Sequence, residues 1–275
     1  KQQFLDGGHD GVIAAGGGSG MDAGKAISLV AGTQHELWAF DYDRGEWPTY
    51  AAGDFVSLIT VPSTAGTGAE TESTAMVTDT AARVKRCVWH PAHKPSVALL
   101  DPEITLGLPA DLTAWTGCDA LVHAIEAFSV PAWHPMCDGL ALEAIRLIYP
   151  ALPIAVKDGS NLSARGAMQV GACLAGVSFL KGLGLVHAMS HMIGAVLDTQ
   201  HGLTNAILLP PVLKFNRAAL GLKAGQMCVA MGLAGGEFDD LYAATTGLLD
   251  DLSIPDNLAA IGVTEAHVDE LARKA

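Results

Sequence analysis

Histidine and aspartate recur at helical spacing in the second half of the chain. Asp119 and His123 lie four residues apart in CDALVHAIE, and His187 and His191 repeat that spacing in LVHAMSHMIG. Residues four apart share one face of a helix, so both side chains of each pair can reach one ion. His201 follows a predicted turn in TQHGLTN. A carboxylate with two or three imidazoles suits Fe(II) or Zn(II), and the absence of sulfur ligands argues against a structural zinc.

A single histidine on an apolar helix is more often a core residue bonded to a backbone carbonyl than a ligand. Here three separate elements each offer such ligands inside otherwise apolar sequence. The spacing therefore predicts a catalytic metal site.

The glycine-rich stretch AAGGGSGMDAGKAISL, residues 14–29, has the design of an anion-binding turn. A strand is predicted to end before the glycines, and a helix to begin at Ser19 or Gly20, where free N–H groups favour an anion. Asp22 is expected in the first helical turn, where the helix dipole favours a carboxylate. Neither standard nucleotide motif fits, because Walker A fails and Met21 stands where the Rossmann pattern needs glycine. The alternative is a tight strand–helix turn.

A second small-residue loop, VPSTAGTGAE at residues 61–70, repeats this design after Pro62. Ser63, Thr64 and Thr67 supply hydroxyl groups beside two glycines. A lone loop of this kind is usually only a loop. Two of them at the carboxyl ends of neighbouring parallel strands would form a dinucleotide crevice.

The apolar pattern changes partway along the chain. Before it changes, short apolar runs are predicted as strands, several of them buried in a parallel sheet: GVIAA (11–15), FVSLITVP (55–62), TAMVTD (74–79) and SVALLD (96–101). After Pro109 the period becomes helical, in DLTAWTGCDALVHAIEAF, GLALEAIRLIYPAL, SARGAMQVGACLAGVSFL and GLVHAMSHMIGAVL. We therefore expect an α/β dinucleotide-binding domain over residues 1–106, followed by an all-α metal- and substrate-binding domain over residues 107–275.

Composition limits the partners and the compartment. Half of the 275 residues are apolar and 16% are charged, which favours a compact globule. The net charge of −13 disfavours nucleic acid and anionic membranes as partners. The uncharged runs 166–180 and 182–197 are split by Lys181 and rich in glycine, which argues against a membrane span. Five cysteines without C-x-x-C spacing indicate a reducing cytoplasm.

Taken together, the motifs resemble the iron-containing (group III) alcohol dehydrogenase family. The matching segments are GGGSGMDAGKAI, VPSTAGTGAETES, VTDTAARVKR, LLDPEITLGLPADLTAWTGCDALVHAIEAF and GLGLVHAMSHMIGAVLDTQHGLTNAILLP. They follow in order with matching spacing over residues 11–216, and weaker similarity continues to about Val263. The resemblance implies oxidation of small alcohols, or reduction of aldehydes, with NAD or NADP at Fe2+ or Zn2+. It also implies a homodimer when the N-terminus is complete.

The resemblance assigns residues to four roles. The implied metal ligands are Asp119, His123, His187 and His201. His191 would lie beside the nicotinamide and substrate as a proton-relay or positioning group. The pyrophosphate loop, with Asp22 in the helix that follows, would comprise Gly17, Gly18, Ser19, Gly20 and Met21. The nicotinamide end would contact Ser63, Thr64 and Thr67. Lys85 would contact a ribose or phosphate, unless it is a solvated surface lysine.

Three departures from the family pattern qualify these expectations. Ser63-Thr64 replaces the usual Thr-Thr, and Met192 replaces the proline that usually follows the second histidine of the pair. The chain also starts where the family is already well into its first domain, so the N-terminal domain is expected to be truncated. Two alternatives stay open: an NAD- and metal-using enzyme like dehydroquinate synthase or glycerol dehydrogenase, and a truncated non-catalytic domain. The Asp119-x-x-x-His123 pair with HGLTN favours the alcohol dehydrogenase.

Overall fold

A computed structural model describes residues 1–82 and 84–274 of the chain. The chain divides into two compact units. The first, called the α/β unit here, contains Lys1–Thr64 and Gly68–Ile104, and the second, the helical unit, contains Ala65–Thr67 and Thr105–Ala275.

A three-stranded parallel sheet forms the centre of the α/β unit. Its strands are β1 (Gly11–Gly16), β2 (Ser57–Pro62) and β5 (Val97–Ala98), in the order β1-β2-β5. Helix α1 (Gln2–Asp6) precedes β1, and α2 (Gly18–Ala31) follows it. The register pairs Gly16 with Pro62, so the two small-residue loops leave the sheet from the same edge, as the parallel arrangement predicted.

The other two strands form a separate antiparallel hairpin. The segment TAMVTD is a strand as predicted, β3 (Thr74–Asp79), but it pairs with β4 (Val84–Trp89) and not with the parallel sheet. Ala75 is buried while its neighbour Met76 is exposed, and such alternation is typical of an antiparallel strand with one covered face. The SVALLD segment contributes only the two residues of β5, and Val97 there is half exposed.

The helical unit contains eight described helices. They are α3 (Ala110–Ser129), α4 (Pro135–Lys157), α5 (Leu162–Ser178), α6 (Leu185–Leu197), α7 (His201–Leu220), α8 (Leu222–Ala230), α9 (Phe238–Asp251) and α10 (Glu265–Lys274). All four segments predicted as helices are confirmed. Helix α3 is buried along most of its length and packs against α4, α5 and α7.

Two glycines allow the helices around α4 to approach closely. A Cβ added at Gly117 of α3 would lie 2.3 Å from Leu152 Cδ1, and one at Gly171 of α5 would lie 2.5 Å from Ile148 Cγ1. Both distances are far below van der Waals contact, so a larger residue would force the helices apart. This packing makes α3 a rigid base for the side chains it carries.

By length and composition alone, α4 could cross a bilayer, and the bent pair Leu162–Lys181 and Leu185–Leu197 would add a second span if it were counted as one. Core helices of globular proteins pass the same test. The inward face of α4 packs against α3 and α5, while Glu143 and Arg146 form an ion pair on its exposed face. We interpret α4 as a core helix.

Candidate metal centre

Three helices of the helical unit bring four side chains together. Asp119 and His123 lie on the buried face of α3, and His187 lies in the first turn of α6. Helix α6 ends at Leu197, and its C-cap Asp198 has a left-handed backbone (φ 52°) that turns the chain sharply. Gln200 then caps α7 by accepting the Leu203 N–H at 2.6 Å, so His201 becomes the first residue of that helix.

The four donor groups form a compact set. Asp119 Oδ1 lies 3.7 Å from His123 Nε2, 3.8 Å from His187 Nε2 and 3.6 Å from His201 Nε2. One ligand atom from each of the four residues lies within 4.8 Å of all the others. A tetrahedral site with bonds of about 2.0–2.2 Å has edges of about 3.3–3.6 Å, so the set fits a divalent ion with small adjustments.

Burial leaves this set open on one side only. The side chains of Asp119, His123 and His187 are 3–5% exposed, whereas that of His201 is 37% exposed. A buried carboxylate among imidazoles is the donor chemistry that Fe(II) and Zn(II) accept. A catalytic site must keep a position for substrate, and the His201 side of the set meets that requirement.

Glu126 supports His187 from behind. Its carboxylate accepts the His187 Nδ1–H at 2.8 Å and the backbone N–H groups of Gly184 and Val186 at 3.0 and 2.7 Å. It therefore caps the start of α6 and leaves His187 Nε2 directed at the ligand set, as the carboxylate partners of metal-bound histidines do. Gly184 permits this approach, because an added Cβ would lie 2.7 Å from Glu126 Oε1.

The sequence analysis did not identify Glu126, although its spacing from the candidate ligands could have indicated it. Asp119, His123 and Glu126 stand at positions i, i+4 and i+7 of α3, which is one helical face. A glutamate on the apolar side of a buried helix needs polar partners, and here one of those partners is the candidate ligand His187.

The electrostatics of the set follow from burial and close charge pairs. Burial alone would raise the pKa of Asp119, but the close imidazoles of His123, His201 and His187 bring it below its usual range. Burial lowers the pKa of His123 to about 3, which favours the neutral imidazole that a metal requires.

A backbone hydrogen bond links the two small-residue loops. Gly16 has φ 146° and its carbonyl accepts the Ser63 N–H at 2.8 Å. An added Cβ at Gly17 would lie 3.5 Å from Thr64 Cγ2, so the loops are in van der Waals range of each other. The half-buried Gly17 and Gly18 and the exposed Ser19 and Gly20 line this turn.

Comparisons with known proteins agree with this geometry. Residues 1–102 match the family model of iron-containing alcohol dehydrogenases, and residues 113–275 match the C-terminal model of the same family. The probable alcohol dehydrogenase EutG of Escherichia coli (strain K12) is 40% identical over 274 residues, covering 99% of this chain and 68% of the relative. The NAD-dependent methanol dehydrogenase of Bacillus methanolicus is 37% identical, covering 97% of this chain and 70% of the relative. A crystal structure of 1,3-propanediol oxidoreductase superposes with a TM-score of 0.93 at 36% identity, covering 99% of this chain and 72% of that one.

The chain belongs to the iron-containing alcohol dehydrogenase family. The predicted family, fold class and enzyme class are confirmed. The family carries out NAD-dependent oxidoreduction of alcohols and aldehydes and uses ferrous iron, so the cofactors expected from the sequence are confirmed at this level. The expected truncation of the N-terminal domain stays a prediction.

The expected start of the helix after the pyrophosphate loop needs correction. Helix α2 begins at Gly18, earlier than predicted, so Asp22 falls in its second turn. The Asp22 carboxylate accepts the Met76 N–H at 3.2 Å and lies 3.5 Å from Lys25 Nζ, which ties α2 to the hairpin. The Met21 side chain is fully buried and its N–H donates to Gly17 O, so this side chain packs beneath the turn, and its cofactor contact stays a prediction.

The remaining predicted residues occupy three places. Thr67 groups with the helical unit, and Lys85 is exposed on β4 opposite Thr78. His191 is exposed, and its ring stacks on that of His201 with centroids 5.2 Å apart. It lies next to the four-residue set without belonging to it, and its catalytic role stays a prediction, as do the cofactor contacts of Ser63, Thr64 and Lys85.

Proposed function

We propose that the chain interconverts small primary alcohols and aldehydes with NAD or NADP at one ferrous ion. The ion would be held by Asp119, His123, His187 and His201. The observation that supports this is the convergence of one carboxylate and three imidazoles from three helices, buried on all sides except that of His201. A cation bound there supplies Lewis acidity, and the nicotinamide supplies the hydride acceptor or donor.

The protein's own groups account for binding, orientation and proton transfer. The backbone N–H groups at the start of α2, with the hydroxyls of Ser63 and Thr64, form an anion-binding turn for the cofactor pyrophosphate and its neighbours. In this proposal His191 accepts the proton that leaves the alcohol, and its exposure and its stacking on His201 support that role. Glu126 keeps the proton of His187 on Nδ1 and so keeps Nε2 available as a ligand.

Assembly and compartment complete the proposal. We propose a homodimer in a reducing cytoplasm, without nucleic acid or membrane as a partner. All five cysteines are free in the structure, which supports a reducing compartment. The acidic composition supports the absence of polyanionic partners.

The decisive experiment combines elemental analysis with a nicotinamide absorbance assay over short primary alcohols and aldehydes. We expect about one iron per wild-type chain and cofactor-dependent turnover. His123→Ala should lose the ion and the turnover, because one of four ligands is removed, while NADH fluorescence titration shows the nucleotide still binding. His267→Ala changes a half-buried histidine on α10 outside the ligand set; it is the control and should keep both. Full metal content in His123→Ala would exclude the proposed ligand set.

A further inference from the structure

Asn205 lies at the centre of the candidate metal site. It stands four residues after His201 on α7 and is fully buried. Its Nδ2 lies 2.7 Å from Asp119 Oδ1 and 3.1 Å from Nε2 of both His187 and His201. Three of the four proposed ligand atoms therefore share one amide group.

The chemistry of the neighbours determines which way this amide faces. The Asp119 carboxylate can only accept, and His187 Nε2 is an acceptor because Nδ1 of that ring donates to Glu126. The NH2 end must face these groups, since the reversed amide would set its carbonyl oxygen against a carboxylate. Two hydrogens then serve three acceptors, while Asn205 Oδ1 is buried without a hydrogen-bond partner among the described residues.

This arrangement conflicts with a bound ion. A cation held by Asp119, His187 and His201 needs the same lone pairs that the Asn205 amide occupies. An amide NH2 group donates two hydrogens and offers no lone pair, so it cannot replace a ligand. The amide and the ion compete for three of the four ligand atoms.

We propose that Asn205 is a positioning residue that holds Asp119, His187 and His201 together before the ion binds, and that the ion displaces its amide. The proposal rests on the proposed four-residue ligand set. Without the amide, the buried Asp119 carboxylate of the ion-free protein would lose its donor, whereas in the loaded protein the ion supplies that charge itself. Asn205 therefore stabilises the ion-free form more than the loaded form.

A thermodynamic cycle relates this difference in stability to the affinity of the protein for the ion. A group that stabilises only the ion-free state weakens ion binding by the same factor. Losing a hydrogen bond to a charged group changes an equilibrium constant roughly tenfold or more. Structural relaxation and entering water compensate for part of that loss. Asn205→Ala should accordingly bind a divalent ion about tenfold more tightly than the wild type.

The experiment uses the full chain, depleted with a chelator and titrated with Zn2+ against a fluorescent competitor. The wild type, Asn205→Ala and Asn205→Ser are compared, with thermal unfolding of depleted and loaded forms alongside. Thr245→Val removes an equally buried hydrogen bond on α9, to Leu241 O at 2.8 Å, and should shift both forms alike without changing affinity. Asn205→Ala should lower Tm more in the depleted form than in the loaded form. Asn205→Ser, which keeps a shorter donor and is the milder change for folding, should fall between.

The outcomes separate this inference from the ligand assignment. Weaker Zn2+ binding in both Asn205 variants would show that the amide supports the ion, and equal Tm losses in both forms would show a purely structural role. Either result overturns the inference. If His123→Ala binds Zn2+ as tightly as the wild type, the ligand set itself is wrong. Loss of binding in His123→Ala with unchanged affinity in the Asn205 variants would overturn only the role of Asn205.

Discussion

Each of the two units buries a cluster of carboxylates, and the two clusters have opposite properties. In the helical unit, the pKa values of Asp119 and Glu126 lie below their usual range. In the α/β unit, burial raises the pKa values of Asp22 and Glu70, and raises that of Glu72 to about 7. Burial opposes the charged form in both clusters, so burial does not explain the difference.

The number of donors explains it. Glu126 accepts three backbone N–H groups and one imidazole, and Asp119 faces three imidazoles and the Asn205 amide. The three acids of the α/β unit depend largely on one cation, the fully buried Lys25. Its Nζ also donates to Thr74 O at 2.7 Å. Carboxylates with many hydrogen-bond donors stay charged and can bind a cation, whereas buried carboxylates with few donors tend to take up protons.

The largest expected effect comes from removing that one cation. Lys25→Met should lower the free energy of unfolding by about 3 kcal/mol at pH 8, because buried carboxylates lose their counter-charge. At pH 5 the loss should shrink, since Glu72, with a pKa of about 7, is then protonated. Urea unfolding at both pH values measures this, with Lys157→Met on the exposed side of α4 as the control. An equal loss at both pH values would mean that Lys25 acts through packing alone.

The next effect tests the carboxylate cluster of the helical unit. Glu126→Gln keeps an oxygen for capping α6, but its amide nitrogen can donate to His187 Nδ1 and shift the ring proton onto Nε2. We expect divalent-ion affinity to fall about 10- to 100-fold, with a smaller change in thermal stability. Competition titration with Zn2+ measures the affinity, and Glu143→Gln, exposed on α4, is the control. Unchanged affinity would show that Glu126 serves only as a helix cap.

The smallest effect concerns the pH dependence of Glu72. Its folded-state pKa of about 7 lies above the ordinary value of 4.5, so the folded protein binds this proton more tightly than the unfolded chain. Stability is therefore lost as pH rises from about 4.5 through 7. Glu72→Gln should remove that loss and gain on the order of 1–2 kcal/mol at pH 8, discounted for partial exposure, with little change at pH 4. Denaturant unfolding of the wild type and Glu72→Gln across this pH range measures the effect, with the exposed Glu103→Gln as control. The expectation is wrong if stability depends on pH in the same way in the wild type and in Glu72→Gln.

Much of the secondary structure could be predicted because it depends on local pattern. The helical period around Asp119 and around His187 gave the correct helices, and the glycines before α2 gave the correct turn. Pairing was harder, since β3 and the parallel strands are similarly apolar and only partner choice separates them. The predicted helix start was one or two residues late, which put Asp22 in the first turn, because the N-cap residue Gly17 has no side chain to mark the boundary.

The sequence by itself determined which residues could bind a metal, since residue type and i, i+4 spacing depend only on neighbours along the chain. It could not determine which polar residues of α3 and α7 face those ligands, because Glu126 and Asn205 obtain their roles from contacts made across 61 and 86 positions of the chain. Only the packing of α3, α6 and α7 decided that one acid would orient a ligand and that one amide would lie among three of them. Burial makes each such contact strong, and burial is a property of the folded chain.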